Sequence, residues 1–344
     1  METSSAFVLA NNPHALTRNP SIEEQQKLIG NMSDARSLNT RISYEGAWNR
    51  FVEWCTKQGF QSFPAEPWAV ALYVTHLNDE GYKISTLESA VCAIQAVHKD
   101  SGSNTSYFQN HLVKSALVAS QRQMANDGRS AIKKPSVIPQ DSIKNLMDSM
   151  GNTAIDYRNR ALLSLGFNSG LRASEIASLR ASDIEFDAHG MLVKVRKSKG
   201  DQLGRGQQFY IQSLASMNQS FDAVHHMKKW LTLRETYEEL LDHDSPVFFA
   251  IRKGGNTAMM RNGQVSPMTR QGISSLISKL AKDAGLEGEY SAHSLRHSFV
   301  TLSFERGIDA SRIAKITRHK NLGVLAQYDQ TSIKQSAFNN NLWG

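Results

Sequence analysis

In the first third of the chain the apolar positions recur at three- and four-residue steps, the period of an amphipathic helix. In TRISYEGAWNRFVEWCTKQGF (residues 40–60), Ile42, Trp48, Phe51, Val52 and Cys55 can share one face, and Gly59 marks the stop. PWAVALYVTHLNDEG (67–81) predicts a second helix, with Pro67 near its start and Gly81 past its end. STLESAVCAIQAVHKDSG (85–102) predicts a third, with Ser85 or Thr86 as N-cap and Glu88 in capping-box range. YFQNHLVKSALVASQRQMAN (107–126) predicts a fourth, and four helices with short connections make a small bundle.

The period then breaks. DGRSAIKKPSVIP (127–139) is rich in glycine, proline and basic residues and reads as an interdomain linker. Its Arg129, Lys133 and Lys134 are candidate phosphate contacts, the plainer alternative being a solvated loop. Helical rhythm returns with SIKNLMDSM, capped by Gln140 or Asp141, and with DYRNRALLSLGFNSG, closed by Gly170. In MLVKVRKSKGDQLGRGQQFYIQ (191–212) the period shortens to two. Val193, Val195, Phe209 and Ile211 alternate with polar residues around a glycine-rich middle, which predicts a β-hairpin. GGNTAMMRNG (254–263) lacks the lysine and Ser/Thr of a nucleotide-phosphate loop and reads as a plain loop, while helices resume from SFDAVHHMKKW onwards. The expected fold is mainly α with a small antiparallel β-sheet. It comprises a flexible polar arm over 1–22, a helical domain over 23–127, a linker over 128–139 and an α+β domain over 140–344.

At 344 residues the chain is long enough for two such domains, and 40% hydrophobic with 21% charged residues is ordinary for globular protein. No apolar run approaches the roughly 18–20 residues that cross a bilayer, and the first twenty residues do not read as a secretory signal. Cys55 and Cys92 lack metal or redox spacing and suit packing in a reduced cytosolic compartment. A net charge of +7 points to a polyanionic partner, nucleic acid before membrane.

Four short stretches can carry chemistry. In SAHSLRHSFVT (291–301), His293 and Arg296 stand three apart and face one side of a helix, while His297 points elsewhere. An imidazole beside a guanidinium can grip one phosphate; a surface histidine near a salt-bridged arginine is the plainer reading. In NSGLRASEIASLRASDI (168–184), Arg172 follows a Gly-Leu turn at a helix start, and Glu175 can orient it or simply pair with it. In RKSKGDQLGRG, Lys199 precedes Gly200 at the hairpin tip, where a lysine can hand a proton to a leaving oxygen; Lys197 has the same strand parity and competes. In ITRHKNLGVLAQYDQ, His319 ends a helix and Tyr328 follows nine residues later. A phenol with a reference pKa of about 10 is a poor nucleophile unless cations stabilise its phenolate.

The order GLRASE, hairpin lysine, HSLRH, RHKNLGVLAQY resembles the tyrosine recombinase family, that of the phage integrases and of Cre. The resemblance spans the second domain, and the helical N-terminal region is similar to the family's core-binding domain. It implies that Arg172, His293, Arg296 and His319 surround a scissile DNA phosphate. It also implies that Glu175 supports them, that Lys199 protonates the 5′-oxygen and that Tyr328 is the nucleophile. Most members carry histidine where Cre carries tryptophan, and His319 sides with the majority.

The reaction implied needs neither metal nor ATP, so no cofactor is expected. Candidate base or backbone contacts beyond the linker are Arg41, Lys83, Ser85 and Thr86 at helix starts in the first domain, and Arg261, Arg270 and Gln271 around a polar helix start in the second. The expected partners are double-stranded DNA carrying a specific site of inverted repeats, and three further copies of the chain in a tetramer joined through the C-terminal segment, with Phe338 and Trp343 as docking residues. Such a protein works in the cytoplasm, on the nucleoid, of a bacterial, plasmid or phage system. Rival readings are a type IB topoisomerase or telomere resolvase, and a catalytically silent DNA-binding protein of the same fold.

Overall fold

A computed structural model describes residues 36–103, 105–129, 136–196, 206–214, 219–252, 257–319 and 322–326. The chain divides into two compact units, residues 1–133 and residues 134–344.

The first unit is helical among its described residues. Helix α1 (Leu38–Gln58) is capped by Ser37, whose hydroxyl accepts from the Thr40 N–H, and ends on Gly59 at φ 74°. Helix α2 (Pro67–Asp79) carries Pro67 as its first residue, where the missing N–H costs nothing. Helix α3 (Ile84–Asp100) begins earlier than the sequence suggests. Ile84 packs against the core, so Lys83 becomes the cap position and Ser85 and Thr86 fall inside the first turn. Helix α4 (His111–Asn126) is capped by Asn110, which accepts from the Leu112 N–H. Phe51, Cys55, Tyr73, Val74, Leu87, Val91, Ile94 and Val113 form the core between them. Ile42, expected on the buried face, is 59% exposed. It stands nine residues before Phe51, half a turn out of phase at about 100° per residue.

The second unit is built around helix α6 (Ala154–Ser169), whose residues 161–167 are all buried. Thr153 and Asp156 cap it reciprocally, Asp156 Oδ2 accepting from the Thr153 N–H at 3.0 Å and Thr153 Oγ1 accepting from the Asp156 N–H at 3.3 Å. Before it lies α5 (Gln140–Asp148), in which Gln140 is the first helical residue; Pro139, set at φ −59°, holds the cap position expected of Gln140 or Asp141. After it come α7 (Ala173–Ser178) and an antiparallel three-stranded sheet. The sheet consists of β1 (Ile184–Phe186), β2 (Gly190–Val195) and β3 (Gln207–Gln212). Val193 pairs with Ile184 on one side and with Phe209 on the other. Helix α8 (Ala223–Arg234) buries Trp230 against Phe249.

A second antiparallel pair, β4 (Met260–Arg261) and β5 (Gln264–Val265), replaces part of the loop expected over 254–263. Its turn is Asn262-Gly263, with φ 52° and 74°. Asn-Gly is the dipeptide that a two-residue hairpin with two left-handed residues favours, and that signal outweighs the poor strand propensity around it. The unit closes with α9 (Arg270–Asp283), α10 (Ala292–Glu305), α11 (Ala310–Thr317) and α12 (Leu322–Ala326). The fold is mostly helical with small antiparallel sheets.

Gly170 links this fold to the site described next. It ends α6 at φ 58°, and a Cβ there would lie 2.7 Å from the Phe299 ring and 3.1 Å from the Thr317 methyl. Gly170→Ala is therefore expected to destabilise the second unit by more than the ~1–2 kcal/mol that left-handed backbone alone costs an L-residue. A urea titration followed by circular dichroism reads this as a lower midpoint; an unchanged midpoint contradicts it.

Candidate active site

Three corners of the second unit meet at one place. The first is the turn from α6 into α7. Gly170 reverses the chain, Leu171 is buried, and Arg172 occupies the cap position of α7. Three residues on, Glu175 is 1% exposed. Its Oε2 accepts the Arg172 backbone N–H at 2.8 Å and its Oε1 accepts from Arg172 Nη1 at 2.9 Å. The pair that sequence alone could read as a routine intrahelical contact is thus a buried carboxylate orienting a partly exposed guanidinium.

The second corner is the start of α10. Ser291 caps it, accepting from the His293 N–H at 3.2 Å, and His293 and Arg296 follow on the first turn. Arg296 is 2% exposed although it is an arginine. Its Nη1 donates to the Gly170 carbonyl at 2.6 Å and its Nη2 to the Thr317 carbonyl, so it joins the ends of α6 and α11. His297 is buried as well, while His293 sits at the exposed end of the turn.

The third corner is the end of α11. The His319 N–H donates to the Ala314 carbonyl at 3.1 Å, which wraps the chain back over the helix end. Thr317 Oγ1 donates to the Ile313 carbonyl and lies 2.6 Å from His319 Nδ1. Arg296 Nη2 lies 3.1 Å from His319 Nε2. This pattern fits a neutral imidazole whose Nδ1–H donates to Thr317 and whose Nε2 accepts from Arg296. Burial, together with the charges of Arg296, Arg172, His293 and Arg318, pushes His319 down to about 4. His293 is lowered by desolvation and then by Arg296, His297 and Arg172. The neighbouring charges acting on both imidazoles are all positive, and that surplus calls for an anion.

A residue that sequence reasoning passed over stands between these corners. Arg318 follows Thr317 at φ 58° with its side chain only 4% exposed, and its Nη2 donates to Glu175 Oε2 at 2.6 Å. Its nearest signal was adjacency to His319 in TRHK, which says nothing about a partner 143 positions away. Burial pushes the Glu175 carboxyl up, but the Arg318 charge and the Arg172 backbone N–H outweigh it, and the group lies below its ordinary value. Glu175 thus accepts from both Arg172 and Arg318, while Arg296 is held by the Gly170 and Thr317 carbonyls and lies against His319.

Arg172, Glu175, His293, Arg296 and His319 are therefore brought together from segments far apart in sequence. Lys199, its competitor Lys197, and Tyr328 lie outside the described residues, as do Lys133, Lys134, Phe338 and Trp343. Within the first unit the candidate DNA contacts lie apart from one another. The Arg36–Asp100 ion pair and the Tyr44–Cys92 contact run α1 antiparallel to α3, so Arg41 lies toward one end of α3 and Lys83, Ser85 and Thr86 at the other. Arg129 is turned onto the chain, donating to Asn78 Oδ1 at 3.1 Å and Asp127 Oδ2 at 3.2 Å. In the second unit, Arg261 sits exposed on β4, and Arg270 and Gln271 are exposed as the first two residues of α9. No group of three or more His, Cys, Asp or Glu side chains among the described residues is arranged to hold a metal ion, and no described helix is long and apolar enough to cross a membrane.

Fold and site together define a mostly helical protein in which Arg172, Arg296 and Arg318 are fixed by bonds to a buried carboxylate and to main-chain carbonyls. Residues 136–334 match the phage integrase family, and the chain belongs to that family, the tyrosine recombinases. It is 29% identical over 334 residues to an integrase/recombinase xerD homolog of Selenomonas ruminantium, covering 94% of this chain and 92% of that one. It is 24% identical over 304 residues to tyrosine recombinase XerC of Halalkalibacterium halodurans, covering 86% and 88%. Among solved structures, it is similar in fold to the XerH site-specific recombinase bound to palindromic difH substrate in a post-cleavage complex. That match has TM-score 0.60 and 17% identity over 92% of this chain and 84% of the other. The Tn1549 transposon integrase in complex with transposon right end DNA matches with TM-score 0.57 and 14% identity over 90% and 98%.

Proposed function

We propose that this protein is a site-specific DNA recombinase that cuts and rejoins duplex DNA through a 3′-phosphotyrosine intermediate. The observation that carries the reading is the convergence of Arg172, Arg296, His293 and His319 on one place with a surplus of positive charge. A scissile phosphate supplies the missing anion. When Tyr328, its phenol proton released to solvent, attacks phosphorus as the phenolate, negative charge grows on the non-bridging oxygens. Guanidiniums already held by Glu175 and by the Gly170 and Thr317 carbonyls stabilise that charge without reorganising. The negative charge of a bound phosphate opposes the downward pull that the neighbouring arginines exert on both imidazoles. The P–O5′ bond breaks as Lys199 passes a proton to the leaving oxygen, giving a phosphotyrosine and a free 5′-hydroxyl. The ester retains the phosphodiester's energy, so rejoining is the reverse step and draws on no ATP; the fixed cations take the electrostatic task a metal would otherwise perform.

In this reading residues 23–127 are the core-binding domain, residues 128–139 the linker with Lys133 and Lys134 on the backbone, and residues 140–344 the catalytic domain. Backbone contacts supply salt-dependent affinity, and the exposed start of α9, with Arg270 and Gln271, supplies contacts to the groove. The site is a pair of inverted repeats, the working form a tetramer joined through the C-terminal segment, and the location the cytoplasmic nucleoid.

The test begins by selecting bound sites from random duplex DNA, then nicking the selected site so that cleavage traps the covalent species. Wild-type protein is expected to give an adduct that survives denaturing electrophoresis. Tyr328→Phe is expected to bind equally and give none. Binding without a wild-type adduct would favour the silent DNA-binding protein, and relaxation of supercoiled DNA lacking the site would favour the topoisomerase.

A further inference from the structure

We propose that Arg318 is a positioning residue that fixes the guanidinium of Arg172 by gripping Glu175; its bearing on strand cleavage rests on the recombinase reading above. The first observation is conformational. Arg318 adopts φ 58°, ψ 44° at the end of α11, and the other positive-φ residue that is not glycine among those described, Asn262, belongs to a hairpin turn where asparagine is at home. Left-handed backbone costs an ordinary L-residue ~1–2 kcal/mol, which glycine would not incur. A strained residue persists where its surroundings hold it there.

The second observation is where the side chain goes. Instead of turning to solvent it is buried, its Nη1 donating to the Ile316 carbonyl at 3.0 Å and its Nη2 to Glu175 Oε2 at 2.6 Å. The guanidinium carbon lies 5.6 Å from the centre of the Phe209 ring on β3, the strand that returns from the hairpin. Its Nε is buried without a hydrogen-bond partner among the described residues, so the placement carries a further cost.

The third observation is the division of Glu175. Oε2 receives the Arg172 backbone N–H and Arg318 Nη2, which pins the carboxylate plane, and Oε1 is left to accept from Arg172 Nη1. With Arg318 absent, the carboxylate can rotate and pair with both forks of Arg172, neutralising it. With Arg318 present, Arg172 keeps donors and net charge for a phosphate.

The discriminating variant is Arg318→Gly, which removes the backbone strain along with the guanidinium and is the substitution expected to fold best. Two quantities are read on the full-length protein: adduct formation on the nicked selected site at saturating protein, and the order of the Arg172 Nε–H bond by ¹⁵N relaxation. We expect a ~10–100-fold slower adduct rate, unchanged site affinity and a loosened Arg172. Arg318→Lys, which keeps the charge on a different reach, is expected to recover part of both and stands in if the glycine variant does not fold. A mere helix cap would leave the glycine variant at the wild-type rate with Arg172 ordered, and that result overturns the proposal. Should wild-type protein form no adduct while Arg172 still loosens in Arg318→Gly, the positioning role stands and the recombinase reading falls. If neither the adduct nor the change in Arg172 is seen, both fall.

Discussion

Arg296→Ala is expected to slow covalent-adduct formation by about 10²–10³-fold, the usual loss when one fixed donor to a developing oxyanion is removed. The same substitution strips the Gly170 and Thr317 carbonyls of their partner. Each buried acceptor left unpaired costs about 1–3 kcal/mol, so the second unit should melt earlier as well. The two effects separate by measuring the single-turnover rate per folded molecule well below the unfolding transition. A rate within a few-fold of wild type there would mean that Arg296 ties helices together and does nothing to the phosphate. Site affinity should fall less than the rate, because a donor aimed at the transition state contributes more there than to ground-state binding.

Glu175→Gln is expected to have the larger effect on folding. A carboxylate that is 1% exposed bridges Arg172 and Arg318, and Arg318 is itself buried. Removing one member of a buried ion pair typically costs about 3–5 kcal/mol, because the surviving charge is left without compensation. The pH dependence gives an independent check. Despite the upward push of burial, the Arg318 charge and the Arg172 N–H hold the folded carboxyl below its ordinary value of 4.5. Its contribution to stability is present above that value and is lost as pH falls through the folded pKa. The glutamine variant cannot titrate there, so its stability should show a shallower fall between neutral and acid pH than wild type. Urea melts of both proteins across that range read the difference. Parallel curves would show that Glu175 carries no special interaction in the folded state.

These two residues also mark how far the chain could be read without coordinates. The amphipathic period located the helices of the first unit, because burying one face of a helix leaves a 3.6-residue imprint. It misassigned Ile42, since a set of apolar residues near one another in sequence need not keep phase over nine positions. It missed β4 and β5, where two-residue strands leave too short an imprint and only Asn262-Gly263 announces the turn. The site residues were legible as types in order: an arginine and glutamate one turn apart, a histidine and arginine one turn apart, a histidine after a helix. Each spacing is local, and local spacing is what a helix converts directly into geometry.

By itself, the sequence determined the mainly helical class and the face shared by His293 and Arg296, because these follow from the chain's period. Only the tertiary structure decided that Arg296 would be buried between two helix ends, that Glu175 would serve two arginines, and that Arg318 would enter the site at all. The bonds of Arg296 and the Arg318–Glu175 bond join residues 21 to 143 positions apart, and the burial that gives them their strength exists only once the helices have packed.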